Sequence, residues 1–209
     1  VTVRPNLRRA LVVVSGLALS ATLAACGGNM SGMSGMSSSS AAAAAPSSSA
    51  AADPASMQGD VEFAQSMIPH HEQAIEMADL ALKNASSAQV KDLATQIKAA
   101  QDPEIQTMRG WLKTWGAEED MAGMDHSGMD MGGMPGTMSD DDMKKLGAAK
   151  GAEFDRMWLQ LMIAHHQGAL TMANQVLATT ADPKVKTLAE AIVSGQAKEI
   201  DTMKGLLAG

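Results

Sequence analysis

Apolar and polar positions recur in alternating steps of three and four along two long stretches of the chain. Asp60, Phe63, Met67, His70, Ala74, Met77 and Ala81 share one stripe, as expected of a helix with a single buried face. After turn and capping residues at 84–87, a second stripe runs from Gln89 through Leu93, Ile97, Gln101, Glu104, Met108 and Trp111. Alternating β-branched runs are missing, there is no tyrosine, and phenylalanine occurs twice. These features predict helices and no strands.

The whole pattern then repeats. An offset of 95 residues pairs Asp60 with Asp155, Phe63 with Trp158, His70 with His165, Ala74 with Ala169, Gln101 with Gln196, Glu104 with Glu199 and Met108 with Met203. One helical hairpin has been duplicated. In the second copy Asp182-Pro183 supplies an N-cap followed by proline at the first helical position. Two hairpins that each carry an apolar stripe bury it best against one another, so the expected fold is an all-α four-helix bundle built from two duplicated hairpins. Repeat one spans 57–115, a connecting loop 116–138 and repeat two 139–209.

Pro69 and Pro103 fall inside predicted helices and should kink or break them, whereas their counterparts Ala164 and Lys198 impose nothing. The two halves should therefore differ slightly in shape. Counting outward from a turn near Ser86 places His70 and Met67 beside Gln101 and Glu104, and His165 and Met162 beside Gln196 and Glu199. Buried polar groups need partners, which a metal or a His–Glu hydrogen bond would supply.

The chemistry is concentrated in two doublets, Met67-Ile68-Pro69-His70-His71 and Met162-Ile163-Ala164-His165-His166, each followed by a further methionine, Met77 or Met172. Four of the five histidines lie there. Imidazole and thioether are the non-cysteine side chains that take soft transition metals. A lone histidine in a bundle is more often a satisfied core residue, and methionine stripes are usually packing. Duplication of the whole set, in a chain with few aromatics, favours ligation. Met108 and Met203, on the stripes of Glu104 and Glu199, complete the candidate set. No Glu-x-x-His occurs, which argues against a di-iron centre, and structural zinc prefers cysteine with histidine. Thioethers favour Cu(I), and neighbouring imidazoles could also hold Cu(II).

The segment 116–138 holds seven glycines and prolines and six methionines. Packing gives no reason for so many methionines on an exposed loop. Met121, Met124, His126, Met129 and Met131 are accordingly candidate low-affinity copper collectors. Residues 1–25 carry Arg4, Arg8 and Arg9 ahead of a short apolar stretch and end at Leu23-Ala24-Ala25-Cys26, which reads as a lipoprotein signal peptide with Cys26 as the lipidated residue. Residues 26–56, rich in Gly, Ser, Ala and Met, read as a tether. Cys26 is the only cysteine, so no thiolate ligand remains. The net charge of −7 argues against nucleic-acid binding.

The motif Asp-x-x-(aromatic)-x-x-x-Met-Ile-x-His-His-x-x-Ala-x-x-Met-Ala, followed by Glu-Ile-x-x-Met-x-x-(Trp/Leu)-Leu, occurs in both halves. It resembles domain of unknown function family 305 over roughly 58–208. The resemblance implies a ferritin-like bundle, an association with copper resistance, and copper ligation by some members through Met and His. By motif position it marks Met67, His70, His71 and Met77, with Met162, His165, His166 and Met172. The reading is a lipid-anchored extracytoplasmic copper-binding protein, not an enzyme, that sequesters copper, confers resistance or passes the metal to a partner protein. Its rivals are a copper redox enzyme of the cuprous oxidase type and a helical scaffold lipoprotein whose histidines only pack.

Overall fold

The computed structural model describes residues 54–119 and 133–209. The signal peptide, Cys26, nearly all of the tether, and Met121, Met124, His126, Met129 and Met131 lie outside the described residues. Four long helices carry the fold: α1 (Pro54–Asn84), α2 (Ala88–Trp115), α4 (Gly151–Leu177) and α5 (Pro183–Ala208). A short helix not expected from the periodicity, α3 (Asp140–Ala148), precedes repeat two. Its signal is local: the Ser139 hydroxyl accepts from Asp142 N, and three aspartates occupy the first turn, where the helix dipole favours negative charge. The described residues form no strand.

The caps agree with the sequence. Ser87 starts α2 by accepting from Val90 N, and Asp182 starts α5 by accepting from Lys184 N with proline in the first turn. Gly116 ends α2 in the left-handed region at φ 69°, which glycine adopts at no steric cost. The expected breaks at Pro69 and Pro103 do not occur. Both prolines lie inside continuous helices, because packing along a helix of about 30 residues outweighs one lost backbone bond. Helix α1 also begins at Pro54, three residues inside the stretch expected to be tether.

α1 packs on α2 and α4 on α5, while α1 against α4 is the main contact between hairpins. α1 and α4 run antiparallel. Ala181 N donates to the Ser56 hydroxyl, Trp158 Nε1 to Met77 O, and Ser87 N to Asp155. The halves are thus related by a pseudo-twofold axis that passes near His70 and His165.

The apolar core is split in two. One cluster joins Ala74, Met77, Val90, Leu93, Ile97, Phe154, Trp158, Met162, Ile200 and Met203. The other joins Phe63, Met67, Ile68, Ile105, Met108, Leu112, Ala169, Met172, Val185 and Ile192. Along every long helix a buried polar residue or doublet falls between the stretches belonging to the two clusters: His70 and His71, Gln101, His165 and His166, and Gln196. A polar layer therefore crosses the middle of the bundle.

Candidate metal centre

All four doublet histidines are buried. Their helical positions place His70 and His165 face to face at the crossing of α1 and α4, with ring centroids 3.8 Å apart. His71 and His166 point outward from the crossing, each toward the second helix of its own hairpin. His71 Nε2 lies 2.8 Å from Glu104 Oε2, and His166 Nε2 lies 2.8 Å from Glu199 Oε2. Within each doublet the rings stand 6.4 Å apart at 52° and 57°. The doublets thus agree in ring separation and differ slightly in tilt. The register expectation needs one correction: Glu104 and Glu199 meet His71 and His166, the second histidine of each pair, because that side of the helix faces its hairpin partner.

These bonds place a ring proton on Nε2. A carboxylate oxygen accepts and cannot donate, so His71 and His166 each present an N–H on Nε2 to their glutamate. His70 Nε2 lies 3.2 Å from the Pro135 carbonyl, also an acceptor only, with the same consequence. The Nδ1 atoms of His70, His71, His165 and His166 are all buried without a hydrogen-bond partner, as are His165 Nε2, both amide atoms of Gln101 and Gln196 Oε1. Each such atom costs about 1–3 kcal/mol when left unpaired, so eight in one layer form a costly arrangement for a purely structural core. Burial pushes the His70 imidazole down to about 3, aided by His71 and His166 and opposed by the Pro135 bond. Burial first, and then His70 and the other imidazoles, push His165 well below the ordinary histidine value, opposed by the backbone of His70. Both rings are therefore neutral near pH 7, the form that ligates metals.

The methionines flank this layer. Met67, Met108 and Met172 belong to one core cluster, and Met77, Met162 and Met203 to the other. Each trio takes two members from one repeat and one from the other, and the 95-residue offset exchanges the trios. Met67 and Met162 are thus separated by the histidine layer. Among the described residues no three His, Cys, Asp or Glu side chains converge on a point that could hold a metal ion. The donor set fits a metal that accepts thioethers with imidazole, and fits poorly one that needs nitrogen and oxygen alone.

Sequence reasoning missed two groups of residues. Asp155 accepts from Ser86 N, Ser87 N and the Ser86 hydroxyl at the α1–α2 turn. Its counterpart Asp60 takes a hydrogen bond from Thr180 at the α4–α5 turn. The aspartate that opens each motif clamps the opposite hairpin, and its persistence across the repeat was the available signal. The second group belongs to the loop. Residues 133–138 are docked on the helices, and Met138 is buried in the core, contrary to the expectation of an exposed segment. A groove of about 560 Å³ opens beside them, lined in part by Phe63, Met134, Pro135 and Met172.

The family model described as "Domain of unknown function (DUF305)" matches residues 60–207. This chain belongs to the DUF305 family. A DUF305 protein of Streptomyces coelicolor described as secreted is 35% identical, with a TM-score of 0.66 over 72% of this chain and 92% of that one. A DUF305 fragment from Deinococcus radiodurans is 32% identical, with a TM-score of 0.64 over 75% and 97% of the two chains. CopM in its Cu(II)-bound form is 33% identical, with a TM-score of 0.62 over 71% of this chain and 95% of that one. CopM has also been solved in Cu(I)-bound and Ag-bound forms. A shorter match, 40% identical over 53 residues, links 25% of this DUF305 chain to protein L153 of Acanthamoeba polyphaga mimivirus, and spans about a third (35%) of that relative's length. Among the described residues no helix is long and apolar enough to cross a membrane.

Proposed function

We propose that this DUF305 protein binds copper, Cu(I) foremost and Cu(II) through its imidazoles, at two sites related by the pseudo-twofold axis. The observation that carries the reading is the set of buried, unpartnered imidazole Nδ1 atoms. Three of these imidazoles are oriented by an acceptor on Nε2, and the layer is bordered on each side by a methionine trio. Ligating histidines generally donate their second ring N–H to a carboxylate or carbonyl, which fixes the ring and raises its basicity. Glu104, Glu199 and the Pro135 carbonyl fill that role here. Met67, Met108 and Met172 would serve one site, and Met77, Met162 and Met203 the other. The copper-bound and silver-bound forms of CopM support a soft monovalent ion on this fold.

The work proposed for the protein is sequestration or transfer of copper outside the cytoplasm, with Cys26 as a lipid anchor and the loop methionines as weaker collectors. The Streptomyces relative supports the extracytoplasmic assignment. Competitive Cu(I) titration of the metal-free chain, with elemental analysis, tests it. Tight uptake that disappears when His70, His71, His165 and His166 are all replaced by Gln is the expected result. Unchanged uptake in that variant, or none in the wild type, refutes it. Oxygen consumption during Cu(I) loading would indicate a redox enzyme instead.

A further inference from the structure

The two histidine doublets differ in what touches their first ring. His70 Nε2 bonds the Pro135 carbonyl, whereas no loop carbonyl meets His165, whose ring has only the His70 backbone as a polar neighbour. The contact on His70 comes from a tight turn. Thr137 N donates to Met134 O at 3.3 Å, Pro135 and Gly136 occupy the two central positions, and Gly136 has φ 79°. Proline followed by a residue with positive φ defines a type II turn. The bond that closes the turn uses Met134 O, so the Pro135 carbonyl remains available to His70.

Two features hold the turn in place. Gln73 grips the residue after it from both sides, with Nε2 donating to Met138 O at 2.9 Å and Oε1 accepting from Met138 N at 2.7 Å. On the opposite helix, Gly168 lets the turn lie directly on the α4 backbone. A Cβ at 168 would stand 1.9 Å from Pro135 O, and one at 136 would stand 2.7 Å from Ala164 O. Position 168 is the counterpart of Gln73 under the 95-residue offset. A second strap on the other doublet would meet a glutamine where this one meets a glycine, so the device is built for one side only.

We infer that the strap Met134–Met138, held by Gln73 and Gly168, is a positioning element that fixes His70 in its Nε2–H tautomer and so selects Nδ1 as the atom offered to the metal. The inference rests on the copper reading for its functional meaning, but the tautomer is a property of the metal-free protein. It makes the two otherwise matched sites unequal, since the first histidine of repeat two meets only the backbone of His70 and no strap. Gln73 and Gly168 act through His70 and are not themselves ligands.

The test uses the full chain and the variants Gln73→Ala and Gly168→Ala. Gly195→Ala serves as control, because Gly195 has nothing within 4 Å of its added carbon. Long-range 1H–15N spectra of the imidazoles read the tautomer without metal, far-UV circular dichroism reads the fold, and competitive Cu(I) titration reads the sites. In the wild type and the control, His70 should be protonated at Nε2. In the two variants the Nδ1–H form should become populated with helix content retained, and one of the two Cu(I) affinities should fall by about tenfold, the lower end of the effect of losing such an outer partner. A His70 tautomer unchanged in both variants overturns the inference. So does a shifted tautomer with both affinities at the wild-type value. Failure of the wild type to take up Cu(I) overturns the copper reading instead, and is told apart because the tautomer is read first in metal-free protein.

Discussion

Repeat one and repeat two place the same chemistry in different surroundings. The His–Glu bonds are 2.8 Å in both halves, the ring separations within the doublets agree at 6.4 Å, and each methionine trio maps onto the other. The surroundings differ in three places. Asp155 meets two backbone N–H groups and a hydroxyl, while Asp60 is buried with Oδ1 unpartnered and the charge of Asp182 nearby. Gln73 on α1 has Gly168 as its counterpart on α4, and the turn at 134–137 hydrogen-bonds the ring of His70 while it meets α4 through backbone alone. Duplication has kept the donor atoms and their immediate supports alike, and has let the contacts one step further out diverge.

The comparison is most severely tested by removing one trio. Replacing Met77, Met162 and Met203 together by Leu, which nearly preserves volume, should abolish tight Cu(I) binding at one site and leave the other at its wild-type affinity. Loss of both sites at once would show that the doublets share a single centre. Such a substitution also separates packing from ligation, because the core keeps its apolar side chains while only the thioethers disappear.

Acidification tests the histidine layer in the metal-free protein. His70 and His165 have folded-state pKa values below the unfolded value of about 6.5. Below pH 6.5 the unfolded chain therefore binds protons that the folded chain refuses. Stability should fall as pH drops from about 6.5 toward 3, by up to about 1.4 kcal/mol per pH unit for each histidine. Thermal melts across this range should show the decline, and the double variant His70→Gln, His165→Gln should flatten it. A wild-type curve that is already flat would mean that the rings protonate in place.

The hairpin clamps should separate next. Asp155→Asn leaves the exposed and half-buried donors of Ser86 and Ser87 short of an acceptor and should cost about 1 kcal/mol in denaturant unfolding. Asp60→Asn removes a carboxylate whose pKa burial and Asp182 both raise. It should change stability by about 0.5 kcal/mol or less, with a small gain the expected sign. Equal costs would mean that the clamps have not diverged.

The architecture was legible because hydrophobic period and caps are local properties. The stripes around Met67 and Leu93, Ser87, and Asp182-Pro183 sufficed for the two hairpins. The His–Glu partnership was legible to within one residue, since counting from the turn gives the register but not which side of the helix turns inward. What escaped depends on three-dimensional crossing. Nothing in the spacing of Met67 and Met162 tells that α4 runs antiparallel to α1 and carries them to opposite sides of the layer. The docked turn escaped for another reason: its Pro135-Gly136 pair marks a turn, but its address on His70 is written in backbone approach at Gly168, which has no periodic signature.

The clusters on either side of the layer draw on both hairpins, with Trp158 reaching Met77 and Ala181 reaching Ser56 across the molecule. Neither hairpin owns a complete core. Expressed as separate chains, each would have to find the other, as subunits of a dimer do, and two copies of one hairpin should be able to take each other's place in part. The covalent connection through residues 120–132 turns that encounter into an intramolecular one at an effective concentration of millimolar order. Cutting the chain there should make folding dependent on protein concentration, and any ion held across the layer would then act as the fastener between two polypeptides.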